Sequence, residues 1–541
     1  MSARVTTGSM SGETQDVVVI GGGANGLIAA AKLARAGRRV LLLEKGDELG
    51  GQGRSVEFAP GFRAAPLGLD PGWLPDRIAR DVGLQGLERM AVDTAMSVAV
   101  ARGEFLGLSR DPARAASAIA KHSSDDAAKW PAFTARLRKL AAFLEELYLT
   151  PSPDISTSSL GELLPLIHVG RKFRGLGRHD MVEFLRVLPL SAAEVAADNF
   201  ESTPVRAALA ASGILDHQQG PRSGGTGFVL LHHMTGVPSG TVRGRAPWRG
   251  GPDAFTQAAE RAAKSARVEI RTGAAVSRIA VHDEAVTSVV LEGGEEIPAS
   301  TVLSTANPAQ TLLDWIDPVW LDPEFAHEVR SVRHRGCTAF VLYALDALPE
   351  LPGLTSEALQ GIVSLTPDAV ALEQAADAAK YGETSERPHV EITVPTTLYP
   401  ELAPEGKHVL VARVQYAPYR LRPGVAWDAV RRDALAGKVT SAIELVAPGF
   451  RARVLNRVVW SPVDLEEQFG LREGAASHGE LGLDQILFMR PVAGWGRHGT
   501  PINGLYLGGA GSHPGPGVLG GPGWLAAKRI LSDKHRRNGR S

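Results

Sequence analysis

The sequence predicts an α/β fold built around a Rossmann-like dinucleotide-binding domain. Three observations predict it. A complete strand–turn–helix–strand unit occupies residues 17–44, a second strand-rich return follows over 254–304, and a glycine-rich strand–loop–helix corner lies at 504–531. In the first unit, Val17-Val18-Val19-Ile20 is apolar and mostly β-branched, the pattern of a buried strand. Gly21, Gly23 and Gly26 then fit G-x-G-x-x-G, Leu27 to Ala36 is alanine-rich with helical periodicity, and Gly37 ends the helix. Arg39 to Leu43 returns as a strand closing on Glu44. The glycines serve different ends. Gly21 permits the tight turn, Gly23 lets backbone approach a pyrophosphate, and Gly26 lets helix and strand pack closely. The helix N-terminus offers free N–H groups and a positive dipole end. Glu44 is placed to accept from ribose hydroxyls.

Further along, Gly50-Gly51 follows the acidic strand end, and Pro60-Gly61-Phe62 marks a turn. Residues 70–220 read as mostly helical, with apolar residues at helical spacing over Ala127–Tyr148 and Val182–Ala197. Gly161 to Arg178 is apolar first and basic later; it suits a helix resting on a membrane surface or, more commonly, a solvated helix end. A loop-rich stretch is predicted from Gly224, then a helix over Ala254–Ala266 and strands at Val268–Ile270, Ala274–Ile279, Val286–Leu291 and Thr301–Ser304. Ala339–Leu345, His389–Thr393 and His408–Val414 read as strands, and Trp427–Val446 as a helix. At the end, Leu505-Tyr506-Leu507 runs into glycines, and Gly520–Gly523 leads into a helix over Trp524–Leu531, a second anion-friendly corner. Gly515, Gly517 and Gly520 repeat the G-x-G-x-x-G spacing, but no complete βαβ unit follows them.

Composition narrows the function classes. The 541 residues are 44% hydrophobic, enough for a large core, and Lys+Arg 58 against Asp+Glu 59 leaves a net charge of −1. That balance points to no nucleic-acid partner. Cys337 is the only cysteine, so an internal disulfide and a redox-active dithiol are excluded; its apolar setting predicts a core thiol. Met1 to Gln15 is polar and predicted to be a disordered tail without the apolar centre of a secretory signal, and no stretch reads as a transmembrane helix. The expected location is the cytoplasm, with peripheral membrane contact as the alternative the 161–178 segment raises. His232-His233 is adjacent and diverging, and neither C-x-x-C nor H-E-x-x-H occurs, so no metal site is predicted. Trp248, Trp495 and Trp524 are candidates either for an apolar pocket or for core packing.

Asp16 to Gly26, Glu44 with Gly50-Gly51, Pro60-Gly61-Phe62, Gly250-Gly251, Val268 to Val276, Ser304-Thr305-Ala306-Asn307-Pro308, Leu483-Asp484-Gln485 with Arg490-Pro491, and Gly504 to Gly523 occur in this order. Together they resemble the phytoene desaturase or phytoene dehydrogenase-like branch of the flavin amine oxidase-like superfamily, over most of residues 16–532. The resemblance implies a discontinuous FAD-binding domain (16–70, 225–308 and 480–535) interleaved with a mixed α+β substrate domain (71–224 and 309–479). It implies that Gly21, Gly23, Ala24, Asn25 and Gly26 hold the pyrophosphate and that Glu44, beside Lys45, holds the adenosine ribose. Gly50 and Gly51 would pass the ribityl and pyrophosphate region, and Val276 would meet the adenine. Ala510 and Gly511 would approach the ribityl phosphate, Gly517 and Val518 the pyrimidine edge of the flavin. Two positions depart from the pattern. Gln52 stands where many relatives carry Arg, leaving that contact to Arg54, and Pro516 interrupts the glycine run, removing a backbone donor.

FAD fits better than NAD, because the Gly-Gly pair and the late C-terminal corner have no use with NAD alone; Glu44 would repel the 2′-phosphate of NADP. The expected chemistry is hydride transfer from a substrate C–H bond to flavin, on an apolar, polyene- or isoprenoid-like small molecule, with oxygen or a quinone as electron acceptor. Two alternatives stand beside it: an amine-type oxidase releasing hydrogen peroxide, and a flavin-binding scaffold without turnover. His478 and His513 are the candidate catalytic bases, each with loop-bracing as its alternative. Asp484 and Arg490 suit an internal ion pair.

Overall fold

The computed structural model describes residues 15–538, apart from 69, 71, 102, 153–159, 238–240 and 244. The expected tail lies almost wholly outside the described residues. At the centre is a five-stranded sheet, parallel throughout, in the order Leu505–Leu507, Val302–Ser304, Val17–Ile20 (β1), Val40–Leu43 (β2) and Glu269–Arg271. Its strands come from three distant stretches of chain. All four residues of β1 are buried, as a strand covered on both faces requires. The helix Ala24–Arg35 (α1) leads from β1 to β2 and packs against Ala254–Ser265 and the C-terminal helix Gly521–Asn538. Small residues make that packing close: Ala29, Ala30, Ala31, Ala259, Ala263, Ala526 and Ala527 share one cluster with Leu27, Leu33 and Trp524.

A three-stranded antiparallel sheet (Glu296–Pro298, Ala285–Leu291, Val276–His282) covers the first sheet's other face, joined through Val18, Leu41, Val289 and Leu505. The largest sheet has seven strands, in the order Val454–Trp460, Thr338–Leu345, His408–Gln415, His389–Thr393, Ile362–Ser364, Thr94–Ala101 and Glu104–Ser109. Only the pairing of Ile362–Ser364 with Thr94–Ala101 is parallel. Helices crowd one end: Ser124–Leu149, Leu160–Gly175, Arg178–Val187, Ala192–Asn199, Thr203–Ser212 and Thr226–His233.

The 70–220 stretch is mostly helical, as expected, and also contains a hairpin, Thr94–Ala101 with Glu104–Ser109, whose apolar residues fill a sheet edge. Two expectations need correction. The predicted helix 182–197 is two helices, because Pro189 follows the first and Ser191 opens the second with a capping box to Glu194. The stretch from Gly224 starts with the helix Thr226–His233, apolar and buried nearly all round, where periodicity gives no signal. Leu160–Gly175 is helical; Ile167 on it is exposed, as are Val182 and Leu185 on the helix that follows. No helix among the described residues is long and apolar enough to cross a membrane.

Candidate cofactor and substrate site

A single large cavity, about 620 Å³, runs from the β1–α1 turn to the face of the seven-stranded sheet. At its first end, three glycine loops meet. Gly26 sits so close to the turn that a Cβ there would stand 1.8 Å from the Gly21 carbonyl oxygen. The Gly50-Gly51 pair lies directly against the turn: the Gly50 N–H donates to the Gly22 carbonyl (3.0 Å), and a Cβ on Gly51 would be 3.2 Å from Gly23 Cα. From the far end of the chain, a Cβ on Gly523 would stand 2.0 Å from the Asn25 carbonyl oxygen, and one on Gly509 2.3 Å from that of Thr305. Side chains are excluded wherever these loops pass one another.

The cradle suits an anionic nucleotide. No side chain caps the N-terminus of α1, and its first turn holds no acidic residue, so its leading N–H groups are open to phosphate. Asn25 and Gln52 border the cavity, and their carbonyl oxygens Oδ1 and Oε1 are buried without a partner among the described residues. Glu44 is buried beside them; its Oε2 accepts from the Gly22 N–H (2.6 Å) and its Oε1 from the Gly46 N–H (2.9 Å), which fixes the carboxylate toward the cavity. Arg54 also borders the cavity, its guanidinium 5.1 Å from the centre of the Phe469 ring and 3.4 Å from the Gln468 carbonyl.

Of the sequence-selected residues, Gly21, Gly23, Ala24, Asn25, Glu44, Lys45, Gly50, Gly51, Arg54, Val276, Ala510, Gly517 and His478 line this cavity. Gly26, Val518 and His513 do not; Gly26 is packed into the turn, and Val518 bridges to Trp73. Gly511 lines a small neighbouring void, shared with His478, His334 and Arg490. Trp248 borders the main cavity, whereas Trp495 packs on Phe325 and Trp524 belongs to the core around α1.

The two candidate bases differ. His478 is pushed down to about 4 by burial, with His334 and Arg490 adding to the shift, so it is neutral near pH 7; its Nδ1 has no partner among the described residues. His513, also pushed to about 4 by burial, has Nε2 2.9 Å from the Thr150 carbonyl oxygen. Arg490 does not pair with Asp484, which binds Arg333 instead (2.6 Å). Its guanidinium is fully enclosed and donates to the carbonyls of Ser477, Gly479, Gln485 and Ala510, drawing three loops together.

Charge at the cavity's second end escaped the sequence reading. Arg243 pairs with Glu391 (2.5 and 2.9 Å), Arg245 with Asp70 (3.1 Å) and Arg413 with Asp216 (2.5 Å), and all six residues line the cavity. Burial pushes the Glu391 carboxyl up, but Arg243 outweighs it and holds it well below the usual range; Asp70 is lowered in the same way by Arg245 and Arg243. His232, pushed to about 3 by burial with Arg245 next, has its Nδ1 hydrogen-bonded with the Tyr148 hydroxyl at 2.7 Å and faces Gly517. The available signal was charge inside apolar strands: Glu391 within His389–Thr393, and Arg413 within His408–Gln415.

These features define a nucleotide-binding oxidoreductase fold, and comparison with known proteins gives its family. The chain belongs to the flavin containing amine oxidoreductase family, which it matches over residues 25–515. It is 33% identical to the rat (Rattus norvegicus) pyridine nucleotide-disulfide oxidoreductase domain-containing protein 2, over 96% of this chain and 93% of that one. It is 24% identical to a limonene dehydrogenase subunit of Castellaniella defragrans, over 96% and 94% respectively. A solved putrescine oxidase variant superposes with a TM-score of 0.58 at 15% identity, over 97% of this chain and 99% of that one, a likeness of fold. The protein is therefore an FAD-dependent oxidoreductase. Dithiol chemistry has no place in it, since Cys337 is its only cysteine and is buried, its thiol pushed up by burial.

Proposed function

We propose that this protein removes a hydride from a C–H bond of a small organic molecule, apolar over most of its length, and passes the electrons to oxygen or a quinone. One observation carries the reading: the glycine loops from both ends of the chain border the same cavity that continues to the sheet face. In this reading residues 16–70, 225–308 and 480–535 form the FAD domain, and 71–224 with 309–479 the substrate domain. Bound FAD supplies the hydride acceptor. The open N–H groups of α1, with Gly21, Gly23, Ala24 and Asn25, hold its pyrophosphate over a turn that Gly26 keeps tight, and Glu44 holds its adenosine ribose. Gly50, Gly51, Val276, Ala510 and Gly517 accept its remaining length, with Lys45 and Arg54 alongside, while Gly511 and Val518 support these loops from behind the cavity. His478, neutral and bordering the cavity, takes the departing proton; His513, tied to Thr150, braces its loop. The Castellaniella dehydrogenase acts, by its name, on limonene, an isoprenoid hydrocarbon, which supports an apolar substrate body.

The test is anaerobic bleaching of the yellow protein. Isoprenoids and amines are added separately, and flavin absorbance is followed in wild type and His478→Asn. The expected result is bleaching by an isoprenoid-bodied compound, slowed about 100-fold in the variant with FAD affinity unchanged. Bleaching by amines alone, or an unaffected variant, overturns the reading.

A further inference from the structure

The cavity face of the seven-stranded sheet carries charge where a central strand is ordinarily apolar. Arg413 lies in register between Phe340 on one neighbouring strand and Glu391 on the other. Its strand is paired on both sides, so the 19% of its side chain that remains accessible opens to the cavity it lines. Hydrogen-bond capacity on this wall is unequal. Both Glu391 oxygens are taken by Arg243. Asp70 receives two contacts from Arg245, and Asp216 Oδ1 already accepts from the Thr338 hydroxyl (2.8 Å) besides Arg413. On the arginines, Nε of Arg413 and Nε of Arg243, both enclosed, have no partner among the described residues, and the accessible part of the Arg413 side chain is not spent on them. Arg243, Arg245 and Arg413 all act on His233 and push its imidazole well down, after burial and His232. A set of purely structural ion pairs would close its own hydrogen bonds, and apolar packing would serve as well at less desolvation cost. An arginine partly open to this cavity is matched by an acceptor-rich anion, and its planar guanidinium suits a carboxylate.

We propose that the substrate carries a carboxylate, seated on Arg413 with Arg243 beside it, its apolar body lying along Phe340, Ile362 and Val411. This rests on the reading of the cavity as the redox site, which it deepens. A hydrocarbon without a head group would strip water from these ion pairs and return no hydrogen bond.

The test uses octanoate, octanamide and octylamine, titrated by calorimetry into the protein as purified with FAD added. Octanoate is expected to bind at least about tenfold tighter than either other probe, the difference a charge-assisted hydrogen bond gives. Arg413→Met should weaken octanoate about tenfold or more and leave octanamide within about twofold, with Arg413→Lys intermediate. Equal affinities, preference for octylamine, no octanoate binding up to about 10 mM, or an Arg413→Met protein that keeps wild-type affinity overturns the proposal. The wild-type ranking needs no variant, so it stands even if substitution at Arg413 impairs folding. Protein that takes up no FAD would instead sink the redox reading, while the ranking is read from heat and not from colour.

Discussion

Gly26 is constrained from a direction no side chain can relieve. The atom its Cβ would meet, 1.8 Å away, is the carbonyl oxygen of Gly21, part of the same turn. Gly26→Ala therefore has to move α1 or open the turn, and overpacking of this kind costs about 1–3 kcal/mol. FAD affinity is expected to fall at least about tenfold, measured by fluorescence titration of the flavin. Gly37 is the control: it has φ +81° but nothing within 4 Å of a Cβ, so Gly37→Ala costs backbone strain of about 1 kcal/mol and leaves FAD affinity unchanged. Equal effects of the two substitutions would mean that α1 does not present its N-terminus to the cofactor. The contrast also explains what was legible at this scale. The fingerprint glycines answer to local backbone sterics, which spacing encodes. The partner of Arg490 was not legible, because backbone carbonyls from three loops satisfy it and carbonyls leave no mark in a sequence.

Among elements, legibility followed periodicity. β1, α1 and β2 were readable because each has one environment along its length. The hairpin Thr94–Ser109 was missed because alanine, valine and leucine there fit either period, and the sheet that accepts it comes from residues more than 200 positions later. On the same sheet Glu391 takes the partner that sequence alone did not couple to it, Arg243 from a loop 148 residues away, each less than 5% exposed. Breaking such a pair is worse than lacking it, since one charge is left buried and alone. Glu391→Gln is expected to lower stability by about 3–5 kcal/mol, seen as a lower urea midpoint. The double variant Arg243→Met with Glu391→Leu should recover much of that loss. A midpoint in Glu391→Gln equal to wild type would show that Arg243 finds compensation elsewhere.

At the scale of the whole molecule, the buried histidines make the fold acid-sensitive. Burial pushes His334, His478 and His513 to about 4, and His232 and His498 to about 3. In the unfolded chain a histidine titrates near 6.5. Between pH 6.5 and 4 the unfolded state therefore binds protons that the folded state refuses. Stability from these groups is complete above about 6.5 and is lost as pH falls through that window, at about 1.4 kcal/mol per pH unit for each. At pH 5 the loss reaches about 2 kcal/mol per histidine, and several together rival the whole stability of an ordinary domain. The paired carboxylates cannot account for a transition there. Asp70 and Glu391 are held below their usual values, so they give up their stabilisation only as pH drops below about 4. Thermal melting from pH 8 to 4.5 is expected to show a plateau above pH 7 and a steep fall in Tm below pH 6. A Tm that stays level down to pH 4.5 would mean that these imidazoles take up protons inside the fold as readily as in the unfolded chain, and that His478 keeps its ordinary basicity instead of the lowered one burial gives it.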